Sequence, residues 1–380
     1  MADKPNLPLV IALIMFPQIV ETIYSPALPE IAEGYDVTAS TAGLTLSLYF
    51  VAFAVGIVVW GRSCDTLGRR PTILLGLMVY GVGAAAAFAA ASFSVLLVAR
   101  MVSAFGVAVG SIGTQTVLRD RFIGAELNRV FAPVGIAIAV SPALGMAVGA
   151  GMTELASYRG VFAALVVLTF WLLVWVSMRL PETRPPAVSC VPFIATALVM
   201  VRDWYIWRSA CLVALMNLCL FAYYQLAPFQ LEVLGYSSSA LVCSGILLTL
   251  GSLGGALVNR KLLAAGWAAA RLVLISCLLM LVSGVVMANL ETSVLFVLPG
   301  VLTSFAFALG IPNILASALI AYSDRLGTAG AVLGLIYYLL LGAGLVVSGA
   351  VQNLALVLSI SGIGALVIAS LGQKERGGIF

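Results

Sequence analysis

Two charged residues stand where charge is most costly. Glu21 and Arg100 each interrupt a long apolar run, LVIALIMFPQIVETIYSPALP and VLLVARMVSAFGVAVG respectively. An acid or base at the centre of a lipid-embedded helix costs about 2.5–3.5 kcal/mol on insertion scales, so such a residue is a functional candidate by default. At ~1.5 Å of rise per residue, both lie ~10 Å below the outer surface of the spans that carry them. Equal depth leaves three arrangements open: a fixed ion pair fastening two helices, a carboxyl that titrates while Arg100 or a cationic ligand competes for it, or a Glu21 turned toward another helix or the lipid boundary. The second is proton chemistry. Burial and a neighbouring cation act on a carboxyl in opposite senses. A change of exposure would therefore bind a proton on one face and release it on the other. A transmembrane potential adds ~2.3 kcal/mol per charge per 100 mV to such an exchange.

The chain around these residues calls for lipid as its main solvent. Of 380 residues, 62% are hydrophobic and 9% charged, with mean hydropathy +1.15. A water-covered surface on a chain of this length needs far more charge. The apolar runs are ~20 residues long and lack period-2 alternation, which selects helices over a closed barrel. Histidine is absent, which excludes imidazole triads, relays and metal sites. Lys4, Lys261 and Lys374 follow no phosphate-loop pattern. Cys64, Cys190, Cys211, Cys219, Cys243 and Cys277 form no C-x-x-C pair and read as small hydrophobes. With no acid cluster or metal constellation either, an enzyme is the least supported class.

Hydropathy divides the chain into about twelve spans. They cover 7–28, 41–60, 72–91, 94–115, 130–152 and 161–178, then 207–229, 240–258, 272–290, 293–315, 329–350 and 354–371. Asp3 and Lys4 lead straight into the first span, so no cleavable signal is expected. With the N-terminus inside, the loops expected in the cytoplasm hold Arg62, Arg69, Arg70, Arg119, Arg121, Arg129, Arg260, Lys261 and Arg271, whereas the opposite loops keep only Arg159. The positive-inside rule then places both termini in the cytoplasm. The polar stretch 179–206, with Pro181, Pro185, Pro186 and Pro192, separates two halves, 1–178 and 207–380. The fold expected is an all-α membrane protein of twelve transmembrane helices, six to a half, around a central cavity. A weak internal echo supports the halves: the turn at Arg62–Pro71 is matched by Asn259, Arg260, Gly266 and Arg271.

That first turn reads Gly61-Arg62-Ser63-Cys64-Asp65-Thr66-Leu67-Gly68-Arg69-Arg70-Pro71. One carboxylate, two glycines and adjacent arginines look like a conformational latch, with Asp65 suited to the positive end of a neighbouring helix. The pattern G-x-x-x-D-x-x-G-R-R closely resembles the signature loop of the major facilitator superfamily. In span five, Gly135 leads to Ser141-Pro142-Ala143-Leu144-Gly145 and Gly149, which resembles the motif of that superfamily's proton-coupled antiporters. There, proline removes a backbone hydrogen bond and the glycines admit a second helix. Leu180-Pro181-Glu182-Thr183 is similar to the tag of twelve-span drug:proton antiporters. Glu21-Thr22-Ile23-Tyr24-Ser25-Pro26-Ala27-Leu28-Pro29 and Gly327-Thr328-Ala329-Gly330-Ala331 resemble the bicyclomycin/chloramphenicol-resistance subfamily.

The departures bear on substrate. Where the subfamily carries Asp, this chain has Thr22, and its acid, Glu21, is rotated ~100° around the helix. Arg100 is kept, but Ser103 and Ala104 replace the usual amide and glycine, and Met146 replaces a second proline. The resemblance implies proton-coupled export of small amphipathic organic molecules, and the two charges within apolar spans, Glu21 and Arg100, are the candidates for coupling. The cavity wall is expected from Gln18, Tyr24, Tyr49, Ser103, Asn217, Tyr223, Tyr224, Gln225, Asn313, Tyr337 and Tyr338. The alternatives are export of one metabolite (a siderophore, an amino-acid derivative or a sugar), a lipid flippase, or a receptor. No cofactor is expected beyond a proton gradient. The expected partners are substrate, protons and the bilayer, with no nucleic acid, for a monomer in a bacterial-type cytoplasmic membrane.

Overall fold

The computed structural model describes residues 6–122, 124–184 and 193–374. Among them the regular structure is helical throughout. Two compact units emerge, Met1–Phe193 and Ile194–Phe380. Of the expected connecting segment, Pro185, Pro186 and Pro192 lie outside the described residues, while Pro181 to Arg184 follow α6 without regular secondary structure.

The first unit contains α1 (Leu7–Ile23), α2 (Leu28–Gly34), α3 (Ala39–Leu67), α4 (Arg69–Phe88), α5 (Phe93–Arg121) and α6 (Gly124–Arg179). A short 3-10 turn, Ser25–Ala27, joins α1 to α2 where Pro26 and Pro29 interrupt the helical ladder, so the two form one span. Polar side chains start the helices: Asn6, Thr38 and Ser92 each accept an N–H from the first turn of α1, α3 and α5. Within this unit α5 packs on α3 and α4, and α6 packs on α1 and α4.

The second unit contains α7 (Phe193–Val201), α8 (Trp204–Val233), α9 (Ser238–Ala264), α10 (Ala269–Ala288), α11 (Val297–Ala318), α12 (Leu326–Val351) and α13 (Leu354–Lys374). Here α10 packs on α11 and α13, α9 packs on α11, and α8 lies against α12 and α13. The short helix α7 falls inside the stretch the sequence marks only as polar.

Eleven helices among the described residues are long and apolar enough to cross a membrane, against an expected twelve. The difference lies in α6. Its apolar part, Pro133–Arg179, runs 47 residues, or ~70 Å if straight, more than twice the ~30 Å hydrocarbon core. Ala156 and Ser157 leave helical geometry, Ser157 with φ 59° and ψ −176°, and break α6 into two span-length pieces. Hydropathy counts two spans there, and the backbone turns between them without leaving a loop. The exposed surface is itself apolar, with Val82, Val98, Ile136, Val167, Phe170, Leu250 and Ile360 outward, as lipid-facing helices require.

Candidate functional site

Glu21 on α1 and Arg100 on α5 come together inside the first unit, 2% and 1% exposed. They do not pair. Among the described residues neither makes an ion pair, which corrects the fixed-bridge arrangement. Glu21 Oε1 and Arg100 Nε and Nη2 are buried without a hydrogen-bond partner. Arg100 instead lies over aromatic faces, its Cζ 4.3 Å from the centroid of Tyr24 and 4.8 Å from that of Tyr49. Desolvated cation–π contacts are worth about 2 kcal/mol each, which offsets part of the cost of a buried guanidinium. Its charge still acts on the Glu21 carboxyl.

Several elements build this wall. Pro26 ends α1 so that Tyr24 becomes its C-cap, and the Tyr24 ring lies 5.8 Å from Phe162 on α6. Tyr49 on α3 stacks on Phe53 at 6.1 Å and meets Phe50 edge-on at 5.5 Å. Tyr80 on α4 meets Phe16 edge-on at 4.8 Å. The hydroxyls of Tyr49 and Tyr80 are also buried without partners. Leaving a buried polar group unsatisfied costs about 1–3 kcal/mol, and more for a charge. The arrangement therefore favours any process that supplies a proton to Glu21 or a polar ligand to Arg100. Gln18, half-buried on α1, sits one turn from Glu21, and its carbonyl accepts the Thr22 hydroxyl at 2.9 Å. Ser103 is placed differently: its hydroxyl donates to Ala99 at 2.9 Å and lies against Gly83, at the seam between α4 and α5.

The glycine-proline stretch of α6 lies against α1. A Cβ on Gly145 would strike the Thr22 hydroxyl and the Ile19 carbonyl, and one on Gly149 the Ile23 carbonyl. Gly135 meets nothing within 4 Å. Ser141 donates back to Ala137 at 2.6 Å, one residue before the helical Pro142. The Glu21 helix and the antiporter-like helix are thus in backbone contact.

At the arginine-rich end the latch forms, with a different acid in the leading part. Gly68 turns the chain at φ 107° between α3 and α4, and a Cβ there would meet Glu182. Glu182 accepts the N–H groups of Arg69 at 2.9 Å and Arg70 at 3.1 Å, so it sits on the N-terminus of α4, where Asp65 was expected. Partial burial raises the Glu182 carboxyl, but the N–H groups of Arg69, Arg184, Arg70 and Thr183 outweigh it, and the carboxyl ends below its usual range. Arg69 is buried with its guanidinium 2.8 Å from Asp120 and 3.3 Å from Asp65, which is half exposed. Arg70 donates to the Ser177 carbonyl at 2.6 Å, and Thr183 to Asp120 at 3.2 Å. Gly61 makes only an ordinary contact with Ile112. Asp120 went unnoticed in the sequence, although an acid held between Arg119 and Arg121 was a visible signal.

In the second unit the expected wall residues lie on α8, α11 and α12. Asn217 bonds its own helix at Val213, 2.8 Å, and Gln225 reaches the Leu345 carbonyl on α12 at 3.2 Å. Tyr223 packs by Gly300 and Phe296, Tyr224 meets Phe221 edge-on, and Tyr337 and Tyr338 lie with rings 4.3 Å apart. Asn313 donates to Asn259 at 2.8 Å, joining α11 to α9.

Comparison with known proteins matches this geometry to transporters. The Major Facilitator Superfamily profile matches residues 10–347. An "Uncharacterized transporter" of Rickettsia bellii is 31% identical over 354 residues, 88% of this chain and 87% of that one. A "Chloramphenicol resistance protein" of Pseudomonas aeruginosa is 30% identical over 217 residues, 54% of this chain and 49% of that one. Among solved structures, a D-xylose-proton symporter superposes with TM-score 0.77 over 95% of this chain and 96% of that one, at 14% identity, a likeness of fold.

Proposed function

As a member of the Major Facilitator Superfamily the chain is a multi-pass membrane transporter, and we propose that it exports small amphipathic organic molecules, drugs among them, in exchange for protons by alternating access. The observation that carries this reading is the buried, unpaired Glu21 carboxylate beside Arg100. A carboxylate closed into an ion pair would have little reason to change its protonation, whereas this one has a vacant acceptor and a cation within electrostatic range. Uptake of a proton neutralises Glu21 and leaves Arg100 as the only charge of the site, and release restores the pair. A substrate favoured by the deprotonated site then moves against the proton. Direction outward is supported by the contact of the antiporter-like Gly145 and Gly149 with α1 and by the resistance-protein relative. In this reading the proton gradient is the energy source, the monomer is the working unit, and the chain sits in a bacterial cytoplasmic membrane with both termini on the cytoplasmic side.

The test is transport by purified protein in proteoliposomes under an imposed pH gradient, with chloramphenicol as the first probe. Glu21→Gln is expected to abolish gradient-driven accumulation while leaving substrate exchange without a gradient. Unchanged gradient-driven transport would remove Glu21 from coupling.

A second reading, export of one metabolite, is favoured by the extent of similarity: the Rickettsia transporter aligns over nearly the whole chain, the resistance protein over about half. The substitutions at Thr22 and Ser103 point the same way. A growth-inhibition panel with the chain overexpressed separates the two, because only broad export protects against several unrelated compounds.

A further inference from the structure

The two units treat their helix starts differently at the arginine-rich end. In the first, α4 begins under the Glu182 carboxylate and Arg69 is enclosed by Asp120 and Asp65. The second repeats the turn: Gly266, at φ 83°, stands where Gly68 stands in the first, and α10 follows with Arg271 in its first turn. Among the described residues no carboxylate caps α10 or pairs with Arg271. The residue before α10 is Ala268, which offers no side-chain cap. Asn259, joined to Asn313, occupies the neighbouring helix as a neutral pair. Asp203 is engaged by the Tyr205 N–H and the Tyr322 hydroxyl, each at 2.8 Å.

In place of carboxylates there is a cavity of about 410 Å³, lined by Arg208, Ser209, Ala269, Arg271, Asn313 and Ser317 among others. Arg208 is held by the Ile368 and Ala369 carbonyls at 3.2 and 3.1 Å, which fixes its guanidinium at the cavity wall. Arg271 is exposed, and among the described residues no carboxylate pairs with it. The Arg271 and Leu272 N–H groups donate to the Ala268 carbonyl, those of Ala269 and Ala270 have no acceptor within their own helix, and a 20-residue helix directs its positive end toward the same space.

We propose that this cavity is a phosphate-binding site, in which Arg208 and Arg271 flank the anion and the start of α10 backs it. Two guanidinium groups match phosphate oxygens through paired N–H donors. The volume suits a headgroup-sized ligand, and basic pockets between spans are a recurrent form of anionic-lipid recognition. The phosphate belongs either to an anionic phospholipid or to a soluble anion. The bound anion would supply from outside the charge that Glu182 and Asp120 supply from within the first unit.

The full chain is purified in neutral detergent. Native mass spectrometry then compares retention of phosphatidylglycerol and phosphatidylcholine. Thermal unfolding compares inorganic phosphate with chloride at equal ionic strength. Wild type is expected to retain phosphatidylglycerol preferentially, and Arg271→Gln to lose about tenfold in that preference, while Arg271→Lys keeps most of it. Ser317→Asp, on the exposed rim, places a carboxylate in the cavity and is expected to lose the preference too; it serves if Arg271→Gln does not fold. Protection by inorganic phosphate that both variants lose, without any lipid preference, assigns the site to a soluble anion. If neither ligand distinguishes wild type from the variants, the proposal is overturned. None of these readouts depends on transport, so failure of coupling at Glu21 leaves them intact.

Discussion

Glu182 accepts the backbone N–H groups of both Arg69 and Arg70, so the segment after α6 seals the first turn of α4. The same carboxylate also accepts from Thr183 and Arg184, at 2.9 and 2.8 Å. One side chain thus gathers four donors and orders the chain end it belongs to.

Loss of that cap is expected to cost about 1 kcal/mol. Because the folded carboxyl lies below its usual value of 4.5, its contribution is complete above that value and is lost as pH falls through the lowered one. Thermal unfolding of wild type and Glu182→Gln should therefore differ near neutrality and converge in acid. A difference that persists at low pH would assign the effect to packing.

The acids around Arg69 should behave unequally. The Asp120 side chain is 12% exposed and that of Asp65 44%. Removing the buried partner strands a buried guanidinium and is expected to destabilise by about 3 kcal/mol. Asp65→Ala should stay within about 1 kcal/mol. Unfolding of the two variants side by side decides the order, and the reverse order would show that the latch runs through Asp65.

Gly149 and Gly135 offer a paired test on one helix. Gly149→Ala would drive a methyl into the Ile23 carbonyl and is expected to cost about 1–3 kcal/mol and to lower transport, since α1 carries Glu21. Gly135→Ala, with open space around it, should be neutral or stabilising by up to about 1 kcal/mol. Equal effects would mean that backbone freedom, rather than close approach, is what these glycines provide.

Much of this was legible in the sequence, for identifiable reasons. Span length and charge asymmetry are properties of single segments, so hydropathy located the helices. The burial of Glu21 and Arg100 followed from their places within apolar runs. What neighbours them did not: Tyr24, Tyr49 and Tyr80 come from three different helices, and rotation of each about its axis is set by packing. Asn313 illustrates the same limit, since its partner Asn259 lies on another helix. Asp65 is local to the motif, whereas the carboxylate that caps α4, Glu182, arrives from a residue more than a hundred positions later.

The break at Ala156–Ser157 bears on how the chain is made. With two residues off helical geometry and no loop between them, the two limbs of α6 have no tether along which to separate. They are expected to enter the bilayer as one hairpin, with Glu154 and Arg159 flanking its tip and the fifth and sixth spans inserting together.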